Sequence, residues 1–129
     1  MSLAHHELCF GCGSANLFGL QLELEPAGEG VAGRFFLKQD HQGPGGRAHA
    51  GVLASALEEA MALALHVRGV HARARRLEVE LLGEAPVGTF VALEARVVNG
   101  GNEGLVAVAS ASEGDRRVAE ARGVFAPFD

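Results

Sequence analysis

Tyrosine and tryptophan are absent from the chain, leaving seven phenylalanines as its large aromatic side chains. Stacking of nucleic-acid bases therefore has few platforms. A formal net charge of −5 also lacks the basic face that nucleic acid requires. Cysteine is scarce, with two residues. Together with the lack of a charged-then-apolar leader, this predicts a reduced, cytoplasmic protein without a signal peptide. No uninterrupted apolar run reaches the roughly 20 residues of a membrane span, so no membrane partner is expected. Repeats, linkers and low-complexity segments are missing too.

What is present is an ordinary globular composition, 48% apolar and 21% charged over 129 residues. That length suits a single domain, residues 1–129, with one core. The chain is organised around Ala48 to Leu65, a stretch rich in the helix formers Ala and Leu. Proline is missing from the whole interval between Pro44 and Pro86. From Ala50 to Leu65 the polar side chains are Ser55, Glu58 and Glu59 alone. A helix apolar on nearly all sides is buried, and two carboxylates inside it are costly unless paired or used.

Around this helix, expected over roughly residues 50–67 and stopped near Gly69, the pattern switches to strands. Leu20 to Glu25 alternates strictly, as a half-buried strand does. The run Pro26–Gly30 breaks it, and Val31 to Leu37 reads as the return strand of a hairpin. Further strands are expected around Arg75–Leu82, Phe90–Val98, Leu105–Ser112 and Val118–Phe125, with turn-rich breaks at Gly83–Gly88, Asn99–Gly104 and Glu113–Asp115. Sequential hairpins give an antiparallel sheet, and a lone apolar helix hides by having that sheet curl around it. A small domain rarely leaves the remaining apolar face wet, so dimerisation is expected.

Three segments carry a family resemblance. The first is Cys9-Phe10-Gly11-Cys12-Gly13, continuing to Asn16 and Gly19-Leu20. The second is the loop from His41 through Gln42-Gly43-Pro44-Gly45-Gly46-Arg47-Ala48 to His49-Ala50-Gly51. The third is Glu58, nine positions after His49. Together with the element order, these resemble the hotdog-fold acyl-CoA thioesterases of the PaaI-type, 4-hydroxybenzoyl-CoA thioesterase-like superfamily. The resemblance implies an α+β hotdog fold: a curled antiparallel sheet of five to six strands wrapped around one long buried helix. It also implies hydrolysis of an acyl-CoA at sites shared between two chains of a homodimer, or of a dimer of dimers. Two positions depart from the pattern. Ala50 stands where the family's His-Gly-Gly has its first glycine, and Ala74 stands where a threonine is common.

Thioester hydrolysis needs a polarised carbonyl, an activated water or nucleophile, and a place for coenzyme A. Free N–H groups and a positive dipole end mark the start of a helix, so Ala50 or Gly51 could supply an oxyanion site. Glu58 would be the general base or nucleophile. It stands about 10 Å along the helix from the first turn at 1.5 Å per residue, which again argues for two chains. In the resemblance, Glu58 takes the catalytic position. Glu59, about 100° round the helix, would support it or reach solvent at the helix edge. Either carboxylate could instead form an ion pair with an arginine such as Arg73 or Arg75.

Gln42 could orient a water or the thioester oxygen, or simply tie the loop. His49 is a candidate base or a loop-fixing hydrogen-bonder. Ser55 lacks a histidine at helical spacing to activate it. Arg73, Arg75 and Arg76 suit the phosphates of coenzyme A, or form a solvated strand face. Cys9 and Cys12, with His5 and His6 nearby, invite a zinc reading. Structural zinc, however, takes four ligands, and one cysteine pair beside a terminus prone to disorder reads rather as a packed turn. No metal and no cofactor are therefore expected, beyond coenzyme A as part of the substrate. A hotdog dehydratase is disfavoured because its acid falls about five residues after the glycine, whereas Glu58 falls seven after Gly51. A non-catalytic acyl-CoA-binding module remains the alternative, and the acyl group is not specified.

Overall fold

A computed structural model describes residues 2–99 and 104–128. Strands β1 (Glu23–Ala27) and β2 (Gly30–Phe36) form a hairpin, and helix α1 (Ala50–His66) follows. Strands β3 (Ala72–Leu81), β4 (Phe90–Asn99), β5 (Leu105–Glu113) and β6 (Arg116–Pro127) complete the chain. All six strands lie in one antiparallel sheet in the order β1-β2-β4-β5-β6-β3. This is the sheet-around-a-helix arrangement that the resemblance implies. Much of the break expected at Asn99–Gly104 lies outside the described residues.

The helix forms where its composition demands, and both ends are specified locally. His49 is its N-cap, with extended backbone and a ring Nδ1 that accepts from Gly51 N–H at 2.8 Å. At the other end Val70 N–H donates to Leu65 O and Gly69 N–H donates to His66 O. Gly69 has φ +77°, so the helix closes in a Schellman motif that a residue with a Cβ would strain. Between the caps, Leu53, Leu57, Met61, Leu63 and Leu65 are buried against the sheet. They pack with Phe35, Leu24, Val91 and Phe125 in one core. Side chains alternate along the strands: Val91, Leu93 and Ala95 are buried, while Ala92, Glu94 and Arg96 are exposed.

The first strand begins later than its alternation predicts. Leu20 and Leu22 are fully buried, but their N–H groups donate to Phe10 O and Gly11 O rather than to the sheet. Their periodicity reports burial, not a ladder position. Pro26 and Ala27, expected in the break, pair with Val31 and Gly30 as the end of β1. A proline is tolerated there because β1 is an edge strand. No helix of the described residues is long and apolar enough to cross a membrane.

Candidate functional site

The stretch between β2 and α1 is a compact loop. Gln39–His41 and Pro44–Gly46 form two 3-10 turns. Gly43 N–H donates to Arg47 O at 2.7 Å, and Ala48 N–H donates to Ala85 O at 2.9 Å. His49 N–H donates to His41 O. These bonds fix the entry of the helix. They leave Gln42 exposed, with its backbone bridged to Ala48.

The first helical N–H groups have unequal fates. Gly51 N–H is taken by the His49 ring, and Val52 and Leu53 donate to His49 O. Ala50 N–H has no partner among the described residues. Of the two oxyanion donors considered from the sequence, Ala50 is therefore the one available. His49 spends its Nδ1 on the cap and leaves only Nε2 for other work.

Helix α1 buries most of its circumference but leaves a stripe partly open at Gly51, Ala54, Ser55 and Glu58. Ser55 Oγ donates back to Gly51 O at 2.8 Å, which explains a hydroxyl in this helix without a nucleophilic role. The Glu58 carboxylate has no hydrogen bond or ion pair among the described residues. Burial raises its pKa, the neighbouring Glu59 charge raises it further, and His5 offsets part of this. Ala50 and Glu58 are about 12 Å apart along one helix at 1.5 Å per residue, so one chain does not bring them together.

Of the alternatives left open for Glu59, solvent exposure and an arginine pair are not what the structure has. Glu59 neither reaches solvent nor pairs with Arg73 or Arg75, and it is 7% exposed. Its Oε2 lies 2.7 Å from His5 Nδ1 and accepts from Cys9 Sγ at 3.5 Å. His5, expected in a disordered terminus, is half-buried in this contact. Its pKa is raised to about 9 by the hydrogen bond to Glu59, against the opposing effect of burial. Burial alone would raise the Glu59 pKa, but the bonds from His5 and Cys12 bring it below the usual range. Burial also pushes the Cys12 thiol up. The cysteine pair therefore does not stand alone. His5, Cys9, Cys12 and Glu59 converge, with one ligand atom from each lying within 4.8 Å of the others. The distance of Glu59 from the other three in the sequence hid its membership; the signal available was a buried helix carboxylate with no basic residue at helical spacing.

Two of the three candidate arginines line one groove. A bulge between Ala74 and Arg76 interrupts the β3–β6 register. Arg75 and Arg76 consequently both line a groove of about 530 Å³ with Leu105, Val124 and Phe125. Arg73 is exposed on the same strand but does not line that groove. A larger depression of about 980 Å³ crosses the sheet at Gly30, Glu94, Ser110 and Glu120. None of the predicted site residues lines it.

Solved structures share this architecture. A thioesterase superfamily protein superposes with TM-score 0.82 at 21% identity over 88% of this chain, and the chain spans 60% of that protein's length. A phenylacetic acid degradation-related protein from Ralstonia eutropha JMP134 gives TM-score 0.74 at 18% identity, covering 82% of this chain and 84% of that one. A hypothetical thioesterase protein from Streptococcus pneumoniae TIGR4, solved with coenzyme A, gives TM-score 0.74 at 17% identity, covering 81% of this chain and 86% of that one. No curated protein matches the sequence. The thioesterase superfamily model matches residues 45–122, which include the end of the loop, the helix and most of the sheet. The chain belongs to the thioesterase superfamily.

Proposed function

We propose that this chain hydrolyses an acyl-CoA thioester to the free acid and coenzyme A, in a homodimer whose sites combine parts of both chains. The observation that carries this reading is Glu58. It is a carboxylate on the open stripe of an otherwise buried helix, and no partner among the described residues explains it. Buried ionisable groups are normally paired; one left free on an accessible stripe is a candidate for chemistry.

Acting as a base, Glu58 takes a proton from water, and the resulting hydroxide adds to the thioester carbonyl carbon. The tetrahedral oxyanion is met by the Ala50 N–H at the positive end of the helix. The C–S bond then breaks, and coenzyme A leaves as the thiol with the proton from Glu58. Acting as a nucleophile, the same carboxylate would add to the carbonyl carbon and expel coenzyme A as the C–S bond breaks, leaving an anhydride that water opens to the free acid while a proton of that water passes to the thiolate. Both routes need Glu58 within reach of Ala50, and a second chain packed on the helix stripe overcomes their separation of about 12 Å. Gln42, on the loop bridged to Ala48, would orient the carbonyl or the water. Arg75 and Arg76, brought to one groove by the bulge, suit the phosphates of coenzyme A. The coenzyme A complex of the Streptococcus pneumoniae protein supports this choice of substrate.

Release of free thiol from a panel of aryl, short-chain and medium-chain acyl-CoAs tests the reading. Turnover of at least one of them is expected. A melting temperature that rises with acyl-CoA while no thiol appears would instead identify a binding module.

A further inference from the structure

Residues 5–13 fold as a tight knuckle pressed on helix α1. Gly13 N–H donates to Cys9 O at 2.9 Å, and Leu20 and Leu22 anchor the knuckle through Phe10 O and Gly11 O. The knuckle brings two free cysteines and a histidine onto Glu59, the buried carboxylate of α1.

The separations are those of a coordination shell. His5 Nδ1 is 3.4 Å from Cys12 Sγ and 3.9 Å from Cys9 Sγ, and Cys9 Sγ is 3.5 Å from Glu59 Oε2. With bonds of about 2.3 Å to sulfur and about 2.1 Å to nitrogen or oxygen, the edges of a tetrahedron around zinc run about 3.4–3.8 Å. Two of the four distances fit without adjustment, and the 3.9 Å between His5 Nδ1 and Cys9 Sγ needs to close by about 0.3 Å. The fourth, 2.7 Å between His5 Nδ1 and Glu59 Oε2, is a hydrogen bond, and replacing its proton with a metal opens it by about 0.7 Å. A proton network alone accounts for the His5–Glu59 pair but not for two cysteine sulfurs aimed at the same point, since thiols are weak donors. The His5 backbone N–H also donates to Cys12 Sγ at 3.1 Å, which holds that sulfur against the His5 ring.

We propose that His5 Nδ1, Cys9 Sγ, Cys12 Sγ and Glu59 Oε2 hold one zinc ion that ties the N-terminal knuckle to helix α1. A donor set of two thiolates, an imidazole and a carboxylate selects zinc over calcium or magnesium, which require oxygen ligands. Four protein ligands, two of them on buried residues, close the sphere and make the site structural. Binding releases the protons of the thiols and the imidazole. This departs from the expectation of no metal, whose premise was an isolated cysteine pair. It does not depend on thioester hydrolysis.

The experiment uses full-length protein without a polyhistidine tag, purified without chelator. Elemental analysis should find about one zinc per chain, and Cys9→Ser should abolish it. Cobalt added to the chelated protein should give thiolate-to-cobalt charge-transfer absorption, a readout that needs no variant to fold. Chelation should lower the melting temperature by on the order of 5–10 °C. Four outcomes overturn the proposal: no zinc together with no cobalt spectrum, full zinc retained by Cys9→Ser, an intact mass showing a Cys9–Cys12 disulfide, or metal loss that leaves melting unchanged.

Discussion

His5 Nδ1 lies 2.7 Å from Glu59 Oε2, joining the N-terminal knuckle to the middle of helix α1. Gly11 makes this approach possible. A Cβ built there would fall 2.3 Å from Glu59 Cγ and 2.7 Å from both Cβ and Cδ. The helix backbone fixes the Glu59 Cβ, so rotation of the side chain does not relieve the clash. Gly11→Ala should therefore cost about 1–3 kcal/mol, as overpacking does. Chemical denaturation of the two proteins side by side checks this, and an unchanged midpoint would show that the knuckle does not sit on Glu59.

The helix and the strand order were legible because they rest on local periodicity: helix 50–66 against an expected 50–67, and six strands in the expected sequence. The start of β1 was misjudged because Leu20 and Leu22 alternate while bonding to the knuckle rather than to the sheet. Loop and helix candidates such as Gln42, His49 and Glu58 could be chosen from motif spacing. The environment of Glu59 could not, because it comes from His5, Cys9 and Cys12, far away in the chain. The pairing of Arg75 with Arg76 in one groove depends on a bulge that no propensity announces.

His41 is 4% exposed, and its Nδ1 accepts from Lys38 N–H at 3.1 Å, which leaves the proton of the neutral ring on a sealed Nε2 with no hydrogen-bond partner within 3.5 Å among the described residues. Burial lowers its pKa, the nearby Gly19 carbonyl and Asp40 offset this in part, and Lys38 adds to it. The unfolded chain, with an ordinary histidine pKa of about 6.5, therefore takes up a proton at higher pH than the folded one. Its contribution to stability is fully present above about pH 6.5 and is lost as the pH falls toward the depressed folded value. His41→Asn, which removes the titration and keeps an acceptor for Lys38, should flatten the fall in melting temperature between about pH 7 and pH 5. An identical pH slope in both proteins would refute this.

On strand β3, an edge of the sheet, Leu77 is 38% and Leu81 is 51% exposed, and Leu82 beside them is 48% exposed. Leu77 and Leu81 share a face with Val79 by the period of two, so this edge presents an apolar row together with unpaired backbone groups. A second chain is the expected cover. Sedimentation at micromolar concentration should show no dominant 13.4 kDa species. Leu77→Glu with Leu81→Glu should shift the population toward monomer and lower turnover with it. A clean monomer with full activity would end the shared-site reading.

Glu58 is the sharpest test of catalysis. A positioned base typically contributes 10²–10⁴-fold, so Glu58→Gln should lower turnover by about that factor. Gln preserves volume, and no partner of the carboxylate among the described residues is lost, so melting temperature and coenzyme A affinity should hold. Glu59→Gln is not a neutral comparison, because that carboxylate holds His5 and Cys9 and its loss should act through stability. The two variants therefore separate chemistry from scaffolding: one loses turnover at constant melting temperature, and the other loses melting temperature first. If Glu58→Gln melts normally and still releases thiol at the wild-type rate, the carboxylate is a bystander, and hydrolysis, where it occurs, is carried by another group.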